Sequence, residues 1–404
     1  MARQPILDRQ QKLYGYELLF RSDGVTNAFN GTEAGTATMH VLSNTLMSIG
    51  AEKLLGGKKA FVNFDHRLLL ENMYLALPRE SLVIEILETV EPTRDLVTLC
   101  RSIQEQGYAL ALDDFTDAPG FAPLARMANV IKVDLRLTSR AEQERVLRAY
   151  KSRGVLMLAE KVETQAEFEW ARGVGFDLFQ GYFFARPTLV RSRQIPASKA
   201  VCLQLLRETR QVDLDLKRIR RLIREDVSLT YQLMRYANSA AFQRGTRYTS
   251  ITRVLLVMGE NNIRRWVALA TLPMLATNKP NELMKLSLVR ASFCERLAQL
   301  AEAPNPNEAF LMGMFSLLDA LIDQPLEEAL RNLDLGKDVA AALLGDAREQ
   351  GFLPSLYRLV HGYEEGRWNE VEEASQQCGI AFPAIGEAYL ESTAWAAQIL
   401  HSGT

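Results

Sequence analysis

A chain of 404 residues is long enough to hold more than one domain. With 48% hydrophobic residues, 24% charged residues and a net charge of −2, the composition is that of an ordinary globular protein; it excludes a disordered chain and argues against a general nucleic-acid or polyanion binder. The four cysteines are scattered without pairing or metal-ligand spacing and read as reduced core residues of a cytoplasmic protein. The N-terminus MARQPILDRQ has no long apolar core, and no apolar run is long enough to span a membrane.

In chain order, Gln4 to Leu7 and Leu13 to Phe20 read as strands joined by Asp8-Arg9-Gln10-Gln11-Lys12. A parallel crossover needs a dozen or more residues, so this short link predicts an antiparallel pair. A helical stretch over Thr36 to Ile49, closed by Gly50, leads to the β-like run Lys59 to Phe64. Further runs follow at Leu82 to Leu87, Tyr108 to Leu112, Val130 to Leu135, Val155 to Ala159 and Phe176 to Phe184. Helical segments at about 67–77, 94–106 and 139–153 separate them, and Thr164 is placed to cap a helix stopped by Gly173 and Gly175. Eight strands with helical crossovers predict an α/β barrel with one reversed strand near its start.

Polar residues recur where these strands end: Glu17, Asn63, Glu85, Asp113, Asp114, Lys132, Asp134, Glu160 and Gln180. Lys132 and Asp134 are two apart and so share a strand face. Unpaired buried charge is very costly, and a single lysine is too little for so many carboxylates. Hard oxygen ligands suit Mg²⁺ or Mn²⁺, and two such ions could activate a water and stabilise in-line displacement at phosphorus.

These residues carry a resemblance to the EAL domain, the cyclic-di-GMP phosphodiesterase family, over about residues 3–190. Glu17-Leu18-Leu19 stands at the Glu-Ala-Leu motif, and Arg21 at an arginine that contacts the dinucleotide. Phe61-Val62-Asn63-Phe64, Glu85-Ile86-Leu87-Glu88, Asp113-Asp114-Phe115, Lys132-Val133-Asp134, Glu160-Lys161-Val162-Glu163-Thr164 and Gln180-Gly181-Tyr182 follow in the family's order. The resemblance implies a modified (β/α)8 barrel and a metal set of Glu17, Asn63, Glu85, Asp113, Asp114 and Glu163, with Asp114 bridging two ions. It also implies that Glu160 and Lys132 assist the attacking water, that Arg21 and Gln180 bind substrate, and that Glu88 supports a nearby loop. Two departures stand out. Thr116 to Phe121 replaces the Gly-Thr-Gly-Tyr-Ser-Ser-like loop of active members, and Lys161 replaces a glycine. Lys161 beside Glu160 either pairs with the site's carboxylates, leaving Mg²⁺ or Mn²⁺ weakly bound or absent, or points to solvent.

Beyond Arg186 to Ser198, a proline-containing connector, the chain has helical periodicity throughout, which divides it into 1–195 and 196–404, an α/β half and an all-α half. Asp226 is placed as a helix N-cap. Asp226 to Phe242 and Ser250 to Gly259 resemble the HDOD domain, a relative of the HD phosphohydrolases. Those hydrolases hold metal with a His-Asp pair; here Leu318 stands in the histidine's place before Asp319. The fused arrangement resembles the YuxH-like bacterial signalling proteins. It implies a non-catalytic HDOD domain that binds a protein partner, and a homodimer is compatible with it. Two functions stay open at this point: hydrolysis of cyclic di-GMP, or an inactive EAL scaffold acting through protein contacts. Trp170, Phe176, Phe179, Phe183 and Phe184 read as barrel core, and Arg220-Arg221, Arg224 and Arg264-Arg265 as solvated helix faces.

Overall fold

The computed structural model describes residues 2–19, 55–87, 90–117, 120–185, 197–209, 213–237, 250–276, 279–333, 337–345 and 351–402. The chain forms two compact units. One comprises Met1–Arg186, Arg358–Gln376 and Ala381–Thr404; the other comprises Pro187–Tyr357 and Gln377–Ile380. The last helices therefore share a unit with the N-terminal strands, which differs from two domains consecutive in sequence.

The first unit is built on a closed eight-stranded barrel whose strand order follows the sequence. Its strands are β1 (Ala2–Asp8), β2 (Leu13–Leu19), β3 (Lys59–Phe64), β4 (Leu82–Ile86), β5 (Ala109–Leu112), β6 (Val130–Asp134), β7 (Leu156–Glu160) and β8 (Leu178–Gln180). Strand β1 runs antiparallel to both β2 and β8, as the short link at Asp8 requires, and every other pairing is parallel. Helices α1 (His66–Leu70), α2 (Arg94–Glu105), α3 (Ala122–Met127), α4 (Arg140–Tyr150) and α5 (Gln165–Val174) lie in the crossovers. The expected stretch Thr36 to Ile49 lies outside the described residues. Thr164 caps α5 through a capping box with Glu167.

The interior of the barrel is filled by Ile6, Phe61, Val83, Ala111, Val130, Leu158 and Leu178, all almost completely buried. Two local expectations change. The helical segment expected over 67–77 is broken at Asn72, which takes φ 54°, so α1 ends at Leu70 and a 3-10 turn follows at Met73–Ala76. The run Phe176 to Phe184 is strand only over β8. Gly181 then turns the chain into a 3-10 turn, Tyr182–Ala185, which stacks Phe183 on Phe168 with ring centroids 4.6 Å apart. Phe176, Phe179, Phe183 and Phe184 are core, as the sequence suggested, whereas Trp170 is only half-buried and lies under the Arg140 guanidinium at 4.8 Å.

The second unit is helical: α6 (Ala197–Glu208), α7 (Leu216–Glu225), α8 (Val227–Ala237), α9 (Ile251–Met258), α10 (Glu260–Leu275), α11 (Asn281–Leu300), α12 (Pro306–Phe315), α13 (Leu318–Ile322), α14 (Leu326–Leu333) and α15 (Lys337–Leu344). The Asp226 carboxylate accepts from the Leu229 backbone N–H at the start of α8, as expected of its cap. The arginine pair on α10 is not solvated. Arg265 lies over the Phe310 ring at 5.0 Å and pairs with Glu295 at 2.9 Å, while Arg264 donates to the Thr209 carbonyl and to Glu260. Helices α16 (Phe352–Glu365), α17 (Trp368–Cys378) and α18 (Phe382–Ser402) complete the chain. Among the described residues, no helix is long and apolar enough to cross a membrane.

Gly181 is the tightest backbone approach in the barrel. Its φ is +139°, and a Cβ there would lie 2.1 Å from the Val162 carbonyl oxygen. Gly181→Ala is therefore expected to destabilise the protein by about 2 kcal/mol or more, read as a lower urea midpoint at unchanged slope. A midpoint equal to that of wild type would contradict this packing.

Candidate active site

Side chains two residues apart on a strand point the same way. Two positions beyond the apolar layer, each parallel strand carries one polar residue. Phe61 is followed by Asn63, Val83 by Glu85, Ala111 by Asp113, Val130 by Lys132, Leu158 by Glu160 and Leu178 by Gln180. On β2, Glu17 follows Gly15, where a Cβ would meet the Lys59 carbonyl oxygen at 2.7 Å. Strand β1 runs the other way, so its member of the layer precedes Ile6; it is Gln4, which stands directly across from Glu17. Eight strands thus supply one ring of polar side chains at one mouth of the barrel.

Lys132 organises this ring. Its side chain is 1% exposed, and its Nζ lies 2.7 Å from Asp113, 2.8 Å from Glu85, 2.9 Å from Glu160 and 3.6 Å from Glu17. Burial alone would push this ammonium's pKa down; the charges of Asp113, Glu160, Glu17 and Glu85 outweigh it and hold it well above the ordinary lysine value. Burial pushes the Glu85 and Glu160 carboxyls well above the usual range, with Lys132 opposing and the neighbouring carboxylates adding to the rise. Glu17 is held from both sides, by Asn63 Nδ2 on Oε1 at 3.2 Å and by Gln180 Nε2 on Oε2.

The other site residues expected from sequence are distributed around this ring. Asp114 takes the left-handed backbone with φ 40° directly after Asp113. Asp134 is turned to its own loop: Oδ1 accepts from the Arg136 and Leu137 backbone N–H groups at 2.6 and 3.1 Å, and Oδ2 pairs with Lys161. Lys161 is therefore tied to Asp134 with its side chain 55% exposed, and the cation among the ring carboxylates is Lys132. Burial opposes the charge on Lys161, but its bond to Asp134 and the nearby charges of Asp114, Asp134 and Glu160 raise its pKa. Glu163 pairs with Arg136, a partner that the sequence reading did not anticipate. Arg21 and Glu88 lie outside the described residues, as do positions 118–119 of the Thr116 to Phe121 loop. Within that loop, Asp117 accepts from the Tyr150 hydroxyl at 2.9 Å.

Three buried oxygens of the ring, Asn63 Oδ1, Glu85 Oε2 and Gln180 Oε1, have no hydrogen-bond partner among the described residues. Such acceptors are the hard oxygen donors a divalent cation takes, so the residues fit one. Among the described residues there is no ready cluster of three or more His, Cys, Asp or Glu in metal-holding arrangement, because the carboxylates converge on Lys132.

A closed barrel with one antiparallel strand and an acidic ring around a buried lysine at its mouth defines an EAL-type (β/α) barrel protein. The EAL domain model matches residues 1–187 and the HDOD domain model residues 195–325. The chain is 35% identical over 403 residues to the cyclic di-GMP phosphodiesterase CdgJ of Vibrio cholerae, covering 99% of this chain and 92% of that protein. It is 34% identical over 408 residues to YuxH of Bacillus subtilis, an uncharacterized protein, covering 99% and 98%. Klebsiella pneumoniae BlrP1, solved with calcium and cyclic di-GMP, aligns at 26% identity over 46% of this chain and 55% of that one, with a TM-score of 0.38. The chain belongs to the EAL family, in the form that also carries an HDOD domain.

The raised Glu85 and Glu160 carboxyls bind protons more tightly in the folded protein than in the unfolded one. Their contribution to stability is fully present below about pH 4.5, the ordinary glutamate value, and is lost as pH rises through their folded values. Metal-free protein is therefore expected to lose stability relative to a Glu85→Gln variant between pH 5 and pH 8, by at most about 1.4 kcal/mol per pH unit for one proton. Chemical denaturation across that range measures it, and parallel pH profiles for the two proteins would refute the assignment.

Proposed function

We propose that the barrel binds cyclic di-GMP and hydrolyses one of its phosphodiester bonds to the linear dinucleotide with Mg²⁺ or Mn²⁺, in the bacterial cytoplasm. The observation that carries this reading is the intact polar ring, in which Glu17, Asn63, Glu85, Asp113, Lys132, Glu160 and Gln180 meet at one mouth. The full-length likeness to a protein named as a cyclic di-GMP phosphodiesterase supports it.

Glu17, Asn63, Glu85 and Asp113 would hold the metal, with Asp114 beside them; the metal supplies Lewis-acid polarisation of the phosphate and a more acidic bound water. Glu160 accepts the proton of the attacking water, a role that suits a carboxylate whose basicity burial has raised. Lys132, bonded to Glu160 at 2.9 Å, orients that base. The water oxygen forms the new P–O bond, one ring P–O bond breaks, and the leaving oxygen takes up a proton. Gln180 and Arg21 serve substrate binding, and Glu88 the support of the adjoining loop.

The HDOD region is an interaction domain for a protein partner, and the chain can act as a homodimer. Leu318, in the histidine's place, is fully buried hydrocarbon and cannot ligate a metal.

Incubation of full-length protein with cyclic di-GMP and Mn²⁺ is expected to give the linear dinucleotide. Glu160→Gln should lower the rate at least about 100-fold while retaining binding of the cyclic dinucleotide. Binding without turnover in wild type would replace hydrolysis with a receptor role. The full-length protein should show no metal-dependent hydrolysis of a phosphate monoester, which is not the barrel's diester substrate; such activity persisting in Glu160→Gln would reveal a second catalytic centre in the HDOD region.

A further inference from the structure

Gln4 completes the polar ring, and its contacts give the ring a direction. The Gln180 amide donates through Nε2 to two acceptors, Glu17 Oε2 and Gln4 Oε1, the latter at 3.0 Å. A carboxylate and a carbonyl on one side fix which end of that amide faces Glu17. Gln4 is itself an amide with two possible orientations. Its Nε2 donates to the main-chain carbonyl of Glu364, near the end of α16, at 3.5 Å. That carbonyl cannot donate, so it turns the Gln4 oxygen toward Gln180. Donor polarity therefore runs one way: Gln4 to Glu364, Gln180 to Gln4, and Gln180 to Glu17. Reversing Gln180 would set its oxygen against Glu17 Oε2 and Gln4 Oε1; reversing Gln4 would set its oxygen against the Glu364 carbonyl and its nitrogen against Gln180 Nε2.

Glu364, which supplies this anchor, belongs to the barrel's own compact unit, as does the rest of the chain from Arg358 to Gln376. Tyr182, two residues past Gln180, stacks with the His361 ring at 6.4 Å, and the buried Tyr389 meets the charge of Arg3, the neighbour of Gln4. These helices lie beyond the residues matched by the HDOD model.

We infer that Gln4 is a positioning residue for Glu17, acting through Gln180 and oriented by the Glu364 carbonyl of the C-terminal helices. This rests on the proposed metal-dependent hydrolysis, in which Glu17 holds metal. Partners of a metal ligand typically change affinity or activity about 10–100-fold when removed.

The test uses full-length protein carrying Gln4→Leu, which loses both bonds, and Gln4→Glu, which keeps an acceptor for Gln180. Gln4→Leu is expected to bind Mn²⁺ about tenfold or more weakly by titration calorimetry and to lose kcat with little change in KM. Gln4→Glu should bind Mn²⁺ no more weakly than wild type. A purely structural role would lower the thermal midpoint and leave Mn²⁺ affinity and kcat unchanged, which would overturn the inference. Gln4→Glu decides alone if Gln4→Leu does not fold: weaker Mn²⁺ binding in it also overturns the inference. Glutamine ¹⁵N labelling adds a metal-free readout. The Gln180 side-chain amide signal, assigned by its loss in Gln180→Glu, should shift in Gln4→Leu and stay near its wild-type position in Gln4→Glu. If wild type binds no Mn²⁺, the hydrolytic reading fails, and this signal still decides the relay: an unmoved signal in Gln4→Leu overturns it.

Discussion

Four carboxylates placed within one barrel mouth repel one another and lose hydration together, so their coexistence requires a cation among them. Lys132 is that cation, with Asp113, Glu85 and Glu160 within 2.9 Å of its Nζ and Glu17 at 3.6 Å. One positive charge does not balance four negative ones, and the raised carboxyls of Glu85 and Glu160 carry the remainder as a tendency to hold protons. The ring is thus an acidic site in tension, and the proposed divalent ion would take the place of those protons. Its members come into register through the strand pairings, above an apolar layer that runs from Ile6 round to Leu178 on every strand but β2.

Much of this was legible in the sequence, for physical reasons. Residues two apart share a strand face, so a polar residue two places beyond a core position declares itself, as Glu85 does after Val83 and Lys132 after Val130. The link at Asp8 is too short for a parallel crossover, and β1 is antiparallel. Gln4 escaped notice because β1 runs backwards: its ring residue comes before the core residue Ile6, where a forward reading does not look. The return of the C-terminal helices to the barrel's unit has no local signature either. It depends on contacts such as Gln4 with Glu364 and Tyr182 with His361, which helical periodicity does not encode.

The conformation at Lys161 was also beyond the sequence. Its φ of 53° lies in the left-handed region that favours glycine, which gives a physical sense to the glycine the family carries there. A lysine in that conformation projects from the turn after β7 onto Asp134, whose other oxygen is held by the backbone of the turn after β6. The pair ties two loops at the mouth and leaves the ring to Lys132. Asp134, two residues from Lys132 on the same strand face, serves this loop contact rather than the ammonium.

The central claim is that the ring around Lys132 is a divalent-metal site whose free donors are already aimed. Anomalous diffraction from crystals of the full-length protein grown with Mn²⁺ measures it directly. The account predicts an anomalous peak within coordination distance of Asn63 Oδ1 and Glu85 Oε2, with the Lys132 ammonium drawn away from at least one of its carboxylates. A map with no peak at the ring, and Lys132 still bound to Asp113, Glu85 and Glu160 at saturating Mn²⁺, would contradict it.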